Sequence, residues 1–132
     1  MKKNFSWAVR VYFEDTDVGG VVYYANYLKY LERARSEWLR ALGFDQGRLM
    51  AETGLGFAVR SIAAEYLKPA RLDDELRVTV ALERHGTASM TIAQQAWRGD
   101  TLLADGEIRI GCVDDGTFKP RRIPIDVIAT FA

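Results

Sequence analysis

The stretch Val11-Tyr12-Phe13-Glu14-Asp15-Thr16-Asp17-Val18-Gly19-Gly20-Val21-Val22-Tyr23-Tyr24-Ala25-Asn26-Tyr27-Leu28-Lys29-Tyr30-Leu31-Glu32-Arg33-Ala34-Arg35-Ser36-Glu37-Trp38-Leu39-Arg40-Ala41-Leu42-Gly43 changes character twice. Its first residues finish a strand. An acidic loop follows, in which Gly19-Gly20 permits backbone angles that a side chain would forbid. From Asn26 onward Tyr27, Leu31, Ala34, Trp38 and Leu42 recur at helical spacing and define one apolar face. Asn26 is positioned to cap that helix, and Gly43 suits the residue just past its end. Arg33 and Glu37 are spaced for a surface pair. A loop carrying Asp15 and Asp17 that feeds a helix N-terminus sets carboxylates beside unpaired backbone N–H groups.

Working outward, Phe5, Trp7, Val9, Val11 and Phe13 alternate with Ser6, Ala8, Arg10, Tyr12 and Glu14, the period of a half-buried strand. Beyond Gly43 a short helix spans roughly Gln46 to Thr53, closed by Gly54 and Gly56. Phe57 to Leu67 reads as a strand ended by Pro69. Leu76, Val78, Val80 and Leu82 form one face of another. After a turn at His85-Gly86, Ala88, Met90, Ile92, Gln94 and Ala96 share a face. Arg98-Gly99-Asp100 is a hairpin signal, and Leu102 to Val113 forms the last long strand, with Gly106 as a candidate bulge. The tail holds Ile125, Val127, Ile128 and Phe131, a short strand or one helical turn. Short turns imply antiparallel neighbours. The expected fold is α+β, an antiparallel sheet of about five strands wrapped over one long helix, in a single domain spanning residues 1–132. Open sheet edges and a lone covering helix favour a homo-oligomer.

The 132 residues are 48% apolar and 27% charged, with Lys+Arg and Asp+Glu balanced at 18 each. That balance argues against nucleic acid or an anionic membrane as a partner. No apolar window is long enough to span a bilayer. Met1-Lys2-Lys3 leads into interrupting polar residues rather than an apolar signal core. With Cys112 as the one cysteine, no internal disulfide forms, and a reducing cytoplasm is expected.

The pattern Phe13-Glu14-Asp15-Thr16-Asp17-Val18-Gly19-Gly20-Val21-Val22-Tyr23, then Ala25-Asn26-Tyr27-Leu28, then Glu32-Arg33-Ala34-Arg35, resembles the hotdog-fold acyl-CoA thioesterases. Within them it is most similar to the Tol–Pal-associated branch, relatives of 4-hydroxybenzoyl-CoA thioesterase. Tyr66-Leu67-Lys68-Pro69-Ala70-Arg71-Leu72-Asp73-Asp74 resembles the family's second strand and turn, so the likeness runs from about Phe5 to Val113. The resemblance implies that Asp17 is the catalytic carboxylate and that the backbone N–H near Tyr24 polarises the thioester carbonyl. It implies substrate contacts at Gly20, Val21, Asn26 and Glu32, and dimers with active sites at the subunit interface, often paired into tetramers. The Tol–Pal-associated branch commonly carries His where this chain has Tyr24; the benzoyl-CoA branch is closer there.

Each residue also has a plainer reading. Asp17 would cap the helix or build an Asx-turn beside Gly19. Asp15 suits turn hydrogen bonds better than a magnesium site, since no third acidic ligand has useful spacing. Tyr24 could act through its backbone N–H, through its phenol, or only by packing. Glu32 would pair on a polar face. His85, the one histidine, sits in a turn, which disfavours a dehydratase or a Ser-His-Asp triad. Cys112 reads as a buried small hydrophobe. Lys119, Arg121 and Arg122, or Arg60, Lys68 and Arg84, are candidates for the phosphates of coenzyme A. The expected reaction is hydrolysis of a small acyl-CoA, with no metal or redox cofactor. The competing class is a non-catalytic module that binds acyl-CoA or acyl carrier protein.

Overall fold

The computed structural model describes residues 5–131; the Met1-Lys2-Lys3 start lies outside them. Strand β1 (Phe5–Arg10) leads through a 3-10 turn (Phe13–Asp15) into helix α1 (Asn26–Ala41). Helix α2 (Gln46–Thr53) and strands β2 (Leu55–Tyr66), β3 (Glu75–His85), β4 (Ser89–Arg98) and β5 (Thr101–Asp114) follow, and helix α3 (Ile125–Phe131) ends the chain. The tail is thus helical rather than a strand. The strands form one antiparallel sheet in the order β1-β3-β4-β5-β2. Helix α1 packs on β1, β3 and β4, while α2 packs on β2. This is the expected α+β architecture of a hotdog fold.

Strand alternation becomes core directly: Leu76, Val78 and Val80 face inward opposite Ile92 and Ala96, all 1% exposed or less. Burying such side chains contributes about 1.5–3 kcal/mol each. The helix buries more than the expected stripe. Tyr27, Leu31, Ala34 and Trp38 are buried as anticipated, but so are Tyr30, Arg35 and Leu39, because the sheet curls around the helix and covers a broader arc. Leu42, at the helix end, is only half-buried.

Several details depart from expectation. The first strand stops at Arg10, and Phe13, turned out by the 3-10 turn, is 80% exposed. Gly106 sits in continuous register with Ala64 and Gln94, so it makes no bulge. Its missing Cβ instead admits α1, since a Cβ there would lie 3.5 Å from Leu31 Cδ1. The bulges fall between Val59 and Ser61, Leu82 and Arg84, and Ala96 and Trp97. Glu37 pairs with Arg40 rather than Arg33. Cys112 is buried, and burial pushes its thiol pKa up.

Candidate active site

The acidic loop folds as a tight hairpin. Thr16 and Val22 form an isolated antiparallel bridge. Asp17 N–H donates to Val21 O at 2.9 Å, and Gly20 N–H donates to Asp17 O at 3.0 Å. Gly20 takes φ +78°, a left-handed angle suited to glycine. The exposed Asp17 carboxylate accepts from Gly19 N–H through Oδ1 at 2.8 Å. Asp17 therefore does build the Asx-turn, yet Oδ2 has no protein donor among the described residues. With Phe13, Thr16, Val18, Gly20 and Leu72 it lines an open groove.

Two hydrogen-bond systems fix this hairpin against the start of α1. In the first, the Asp15 carbonyl accepts from Tyr23 N–H at 3.1 Å and from Asn26 Nδ2 at 2.8 Å. The Asp15 side chain is buried and accepts from Tyr12 N–H at 2.9 Å, the turn-stabilising role its spacing suggests. Asn26 is consequently not the cap. Ala25 occupies that position with no side-chain hydrogen bond, and the Asn26 amide reaches back to the loop instead.

The second system runs through the segment after β2. Val22 N–H donates to Ala70 O at 2.8 Å, and Val21 bridges Arg71. Ala70 N–H donates to the Tyr27 hydroxyl at 2.9 Å, and that hydroxyl donates to Lys68 O at 3.4 Å. Asp74 holds the same turn: its Oδ2 accepts from Arg71 N–H at 2.9 Å and Arg98 Nη1 at 2.8 Å. Burial alone would raise the Asp74 carboxyl pKa. The Arg71 amide and the Arg98 guanidinium outweigh burial and hold it below the usual range. The run Lys68 to Asp74 is thus the floor on which the Asp17 hairpin rests.

The helix start supplies donors. Asn26, Tyr27 and Leu28 N–H donate to Tyr23, Tyr24 and Ala25 O. Tyr24 and Ala25 N–H have no acceptor among the described residues, as helix geometry dictates for the first turn. The Tyr24 ring is 59% exposed and packs against Tyr23 and Tyr66, with centroids 4.7 and 5.8 Å away. Its phenol belongs to an aromatic surface, leaving the backbone N–H as its chemically apt group.

Glu32 lies six residues past Asn26, about 9 Å along the helix axis at 1.5 Å per residue. It is exposed, and its Oε1 accepts from Ser36 Oγ at 2.8 Å. Glu32 stands apart from the Asp17 groove, at a second cavity. Among the basic candidates, Arg121 is engaged with Thr53 O at 2.8 Å and Arg84 with Glu83 and Glu107. Lys68 flanks the segment under the hairpin. Periodicity does not reveal Tyr27 and Arg35 as polar participants. Tyr27 reads as core, and the apolar stripe does not include Arg35, whereas Arg35 is 8% exposed and bonded to a buried Gln94.

Comparison with known proteins shows the family to which the chain belongs. The sequence model of the thioesterase-like superfamily matches residues 11–131. The chain is 42% identical to acyl-CoA thioesterase YbgC of Haemophilus influenzae over 131 residues, covering 99% of this chain and 96% of that one. It is 44% identical to acyl-CoA thioester hydrolase YbgC of Escherichia coli, covering 96% of this chain and 95% of that one. A probable thioesterase from Bartonella henselae superposes with a TM-score of 0.88 at 34% identity, over 92% of this chain and all of that one. A mutant 4-hydroxybenzoyl-CoA thioesterase, complexed with 4-hydroxybenzoyl-CoA, shares the fold at a TM-score of 0.90 and 22% identity, covering 98% and 99%. The chain belongs to the thioesterase-like superfamily, as a thioester hydrolase of the hotdog fold.

Proposed function

We propose that the protein hydrolyses a small acyl-CoA, short aliphatic or hydroxybenzoyl-type, to the free acid and coenzyme A. One observation carries the mechanism: an exposed carboxylate, Asp17, is tied through the Asp15 carbonyl to a helix start whose Tyr24 and Ala25 N–H groups have no acceptor among the described residues. The acyl-CoA specificity is supported by the names of the relatives above.

The chemistry follows from those two parts. The thioester carbonyl would lie with its oxygen toward the Tyr24 N–H, where the developing oxyanion finds a donor already oriented. Asp17 then works by one of two routes. As nucleophile, its free oxygen bonds to the carbonyl carbon and the C–S pair leaves with coenzyme A as thiolate; water then cleaves the mixed anhydride. As general base, it takes a proton from water as the water oxygen adds to the carbon, and the thiolate leaves and is protonated. Both routes need an ionised carboxylate, and the Gly19 N–H on Oδ1 holds its orientation while leaving Oδ2 to react. Gly20 and Val21 shape the hairpin edge toward the substrate, and Asn26 orients the helix start. Neither route calls for a metal or redox cofactor.

The same proposal places the enzyme in the cytoplasm, in the Tol–Pal-associated branch, as a homodimer or homotetramer with substrate bound at the subunit interface. Glu32 joins the substrate contacts if the partner subunit brings its cavity toward the groove. Acyl carrier protein is a candidate acyl donor beside coenzyme A.

The test is thiol release from acyl-CoAs, short aliphatic to benzoyl, by wild type and Asp17→Asn. Asn keeps the shape and removes the charge. The expected loss is roughly a hundredfold or more, the scale of a deleted acid–base group. Binding of acyl-CoA without turnover by wild type would identify a binding module. A folded mutant as active as wild type would move the site elsewhere.

A further inference from the structure

On the outer face of the sheet a cavity of 270 Å³ opens at the turn between β3 and β4. Its lining is Arg84, His85, Gly86, Ser89, Thr91 and Arg109, none of which borders the Asp17 groove or the cavity beside Glu32. Strand register explains the grouping. Thr91 is paired with Arg84 on β3 and with Arg109 on β5, so its hydroxyl stands between two arginines on one face. Its neighbours along β4, Met90 and Ile92, point the other way, into the core. Ser89 shares the face of Thr91 and is paired with Gly111. There a third cation lies on the sheet, because a Cβ added at Gly111 would stand 2.5 Å from Arg60 Nε.

The cavity holds donors that the chain itself does not use. Thr91 is 6% exposed, yet its hydroxyl has no hydrogen-bond partner among the described residues. The same is true of the Ser89 hydroxyl and of the guanidinium groups of Arg109 and Arg60. Arg84 meets Glu83 at 2.8 Å and Glu107 at 3.4 Å, both at an exposed surface, where such pairs are weak. His85 Nδ1 lies 3.3 Å from Gly86 O. No carboxylate and no apolar side chain lines the cavity. Arginines and hydroxyls converging from three strands suit an oxyanion with several oxygens, and phosphate presents three. The volume lies below the ~300–1,000 Å³ typical of drug-sized ligands, so the ligand is small.

We propose that this cavity is a second binding site, for the dianion of a small phosphomonoester, with its oxygens on Arg84, Arg109 and the hydroxyls of Thr91 and Ser89. From Asp74, which braces the floor under the Asp17 hairpin, to Arg84 is roughly 30 Å along β3 at about 3.3 Å per residue. A phosphorylated compound can therefore be held here while substrate occupies the groove of the same chain. The assignment stands on the cavity and its unused donors, independently of the role of Asp17.

The experiment follows His85, the one histidine of the chain, through its imidazole proton resonances. The full chain is titrated with methyl phosphate at about pH 8, above its second ionisation near pH 6, with acetate at equal ionic strength as the planar comparison. Wild type is expected to show a saturable His85 shift with Kd of about 1 mM, at the weak end for small ligands, and to bind acetate about tenfold more weakly. Arg109→Gln should weaken methyl phosphate binding about tenfold, the scale of a lost charge-assisted hydrogen bond, and Thr91→Val about threefold. Neither group has a protein partner to lose, and Thr91→Val gives an independent reading if Arg109→Gln does not fold. Arg109→Gln should hydrolyse acyl-CoA with kcat and KM like wild type. Several results would overturn the assignment: no saturable shift, equal affinity for acetate, or binding that neither substitution weakens. A raised KM for acyl-CoA in Arg109→Gln would do so as well, by making the cavity part of the acyl-CoA site. Absence of any turnover would count against the thioesterase reading alone, since the His85 titration does not depend on it.

Discussion

Gly19 shows how little space the candidate carboxylate has to spare. Its N–H holds Asp17 Oδ1 at 2.8 Å, and a Cβ added at Gly19 would stand 3.2 Å from the same oxygen. The backbone at Gly19 does not require glycine, unlike Gly20, so Gly19→Ala folds without strain and presses only on the carboxylate. Misplacing a reacting group by part of an ångström costs rate rather than stability. Gly19→Ala is expected to lower kcat roughly tenfold while leaving the melting temperature close to wild type, as measured by thiol release beside calorimetry. An unaltered kcat would mean that the Asp17 carboxylate need not keep this rotamer to work.

At the scale of elements, the loop–helix junction depends on polar ties between distant parts of the chain. The Tyr27 hydroxyl bridges Ala70 N–H and Lys68 O, and Ala70 O in turn holds Val22 N–H of the hairpin. Tyr27→Phe keeps the buried ring and removes only those bonds, at about 1 kcal/mol each. It should lower kcat several-fold to tenfold with KM nearly unchanged, since it loosens the placement of Asp17 rather than a substrate contact. Tyr30→Phe is the control. The Tyr30 hydroxyl is buried with no hydrogen-bond partner among the described residues, its ionisation opposed by burial and the nearby Asp15 carboxylate, so its loss should leave kcat intact. Asp74 supports the same floor in a pH-dependent way. Its folded pKa lies below the unfolded value of about 3.9. Its contribution is therefore present above pH ~4 and is lost as pH falls through the folded pKa. In thermal unfolding against pH, Asp74→Asn should melt below wild type at neutral pH, and the gap should close on acidification. These ties also mark where the sequence stops being legible. Strands β3 and β4 and helix α1 follow from periodicity, because each buries one face. The Asp17 loop is marked by its glycines and the family likeness, but its closure as a hairpin through Thr16 and Val22 is not. Asn26 misleads because an amide at a helix start looks the same whether it caps the helix or reaches back eleven residues to Asp15. Gln94 shares the face of Met90, Ile92 and Ala96 and so reads as inward, but Arg35 sits where either a surface or a curled-over sheet would accept it, and only the closed fold brings the two together.

Across the whole molecule, coverage is uneven. Helix α1 lies over β1, β3 and β4, which leaves β2 at the sheet edge with only α2 beside its first residues. From Val59 to Ala63 the edge strand is exposed, with Val59 at 49% and Ile62 at 38%. An edge with unpaired backbone groups and apolar side chains is a template for another strand, and it carries no proline to block pairing. A second copy presenting the same edge would satisfy both at once, as twofold symmetry requires. It would also be the means of bringing one subunit's Asp17 hairpin toward the other's helix. Wild type is thus expected to sediment as a dimer or tetramer at micromolar concentration. Ile62→Lys, which sets a charge on that edge, should shift it toward monomer. If the active site is shared between subunits, activity should fall in the same proportion and recover as protein concentration is raised. A variant that is monomeric and fully active would show that each chain works alone. A variant that stays oligomeric would show that the chains associate through another surface.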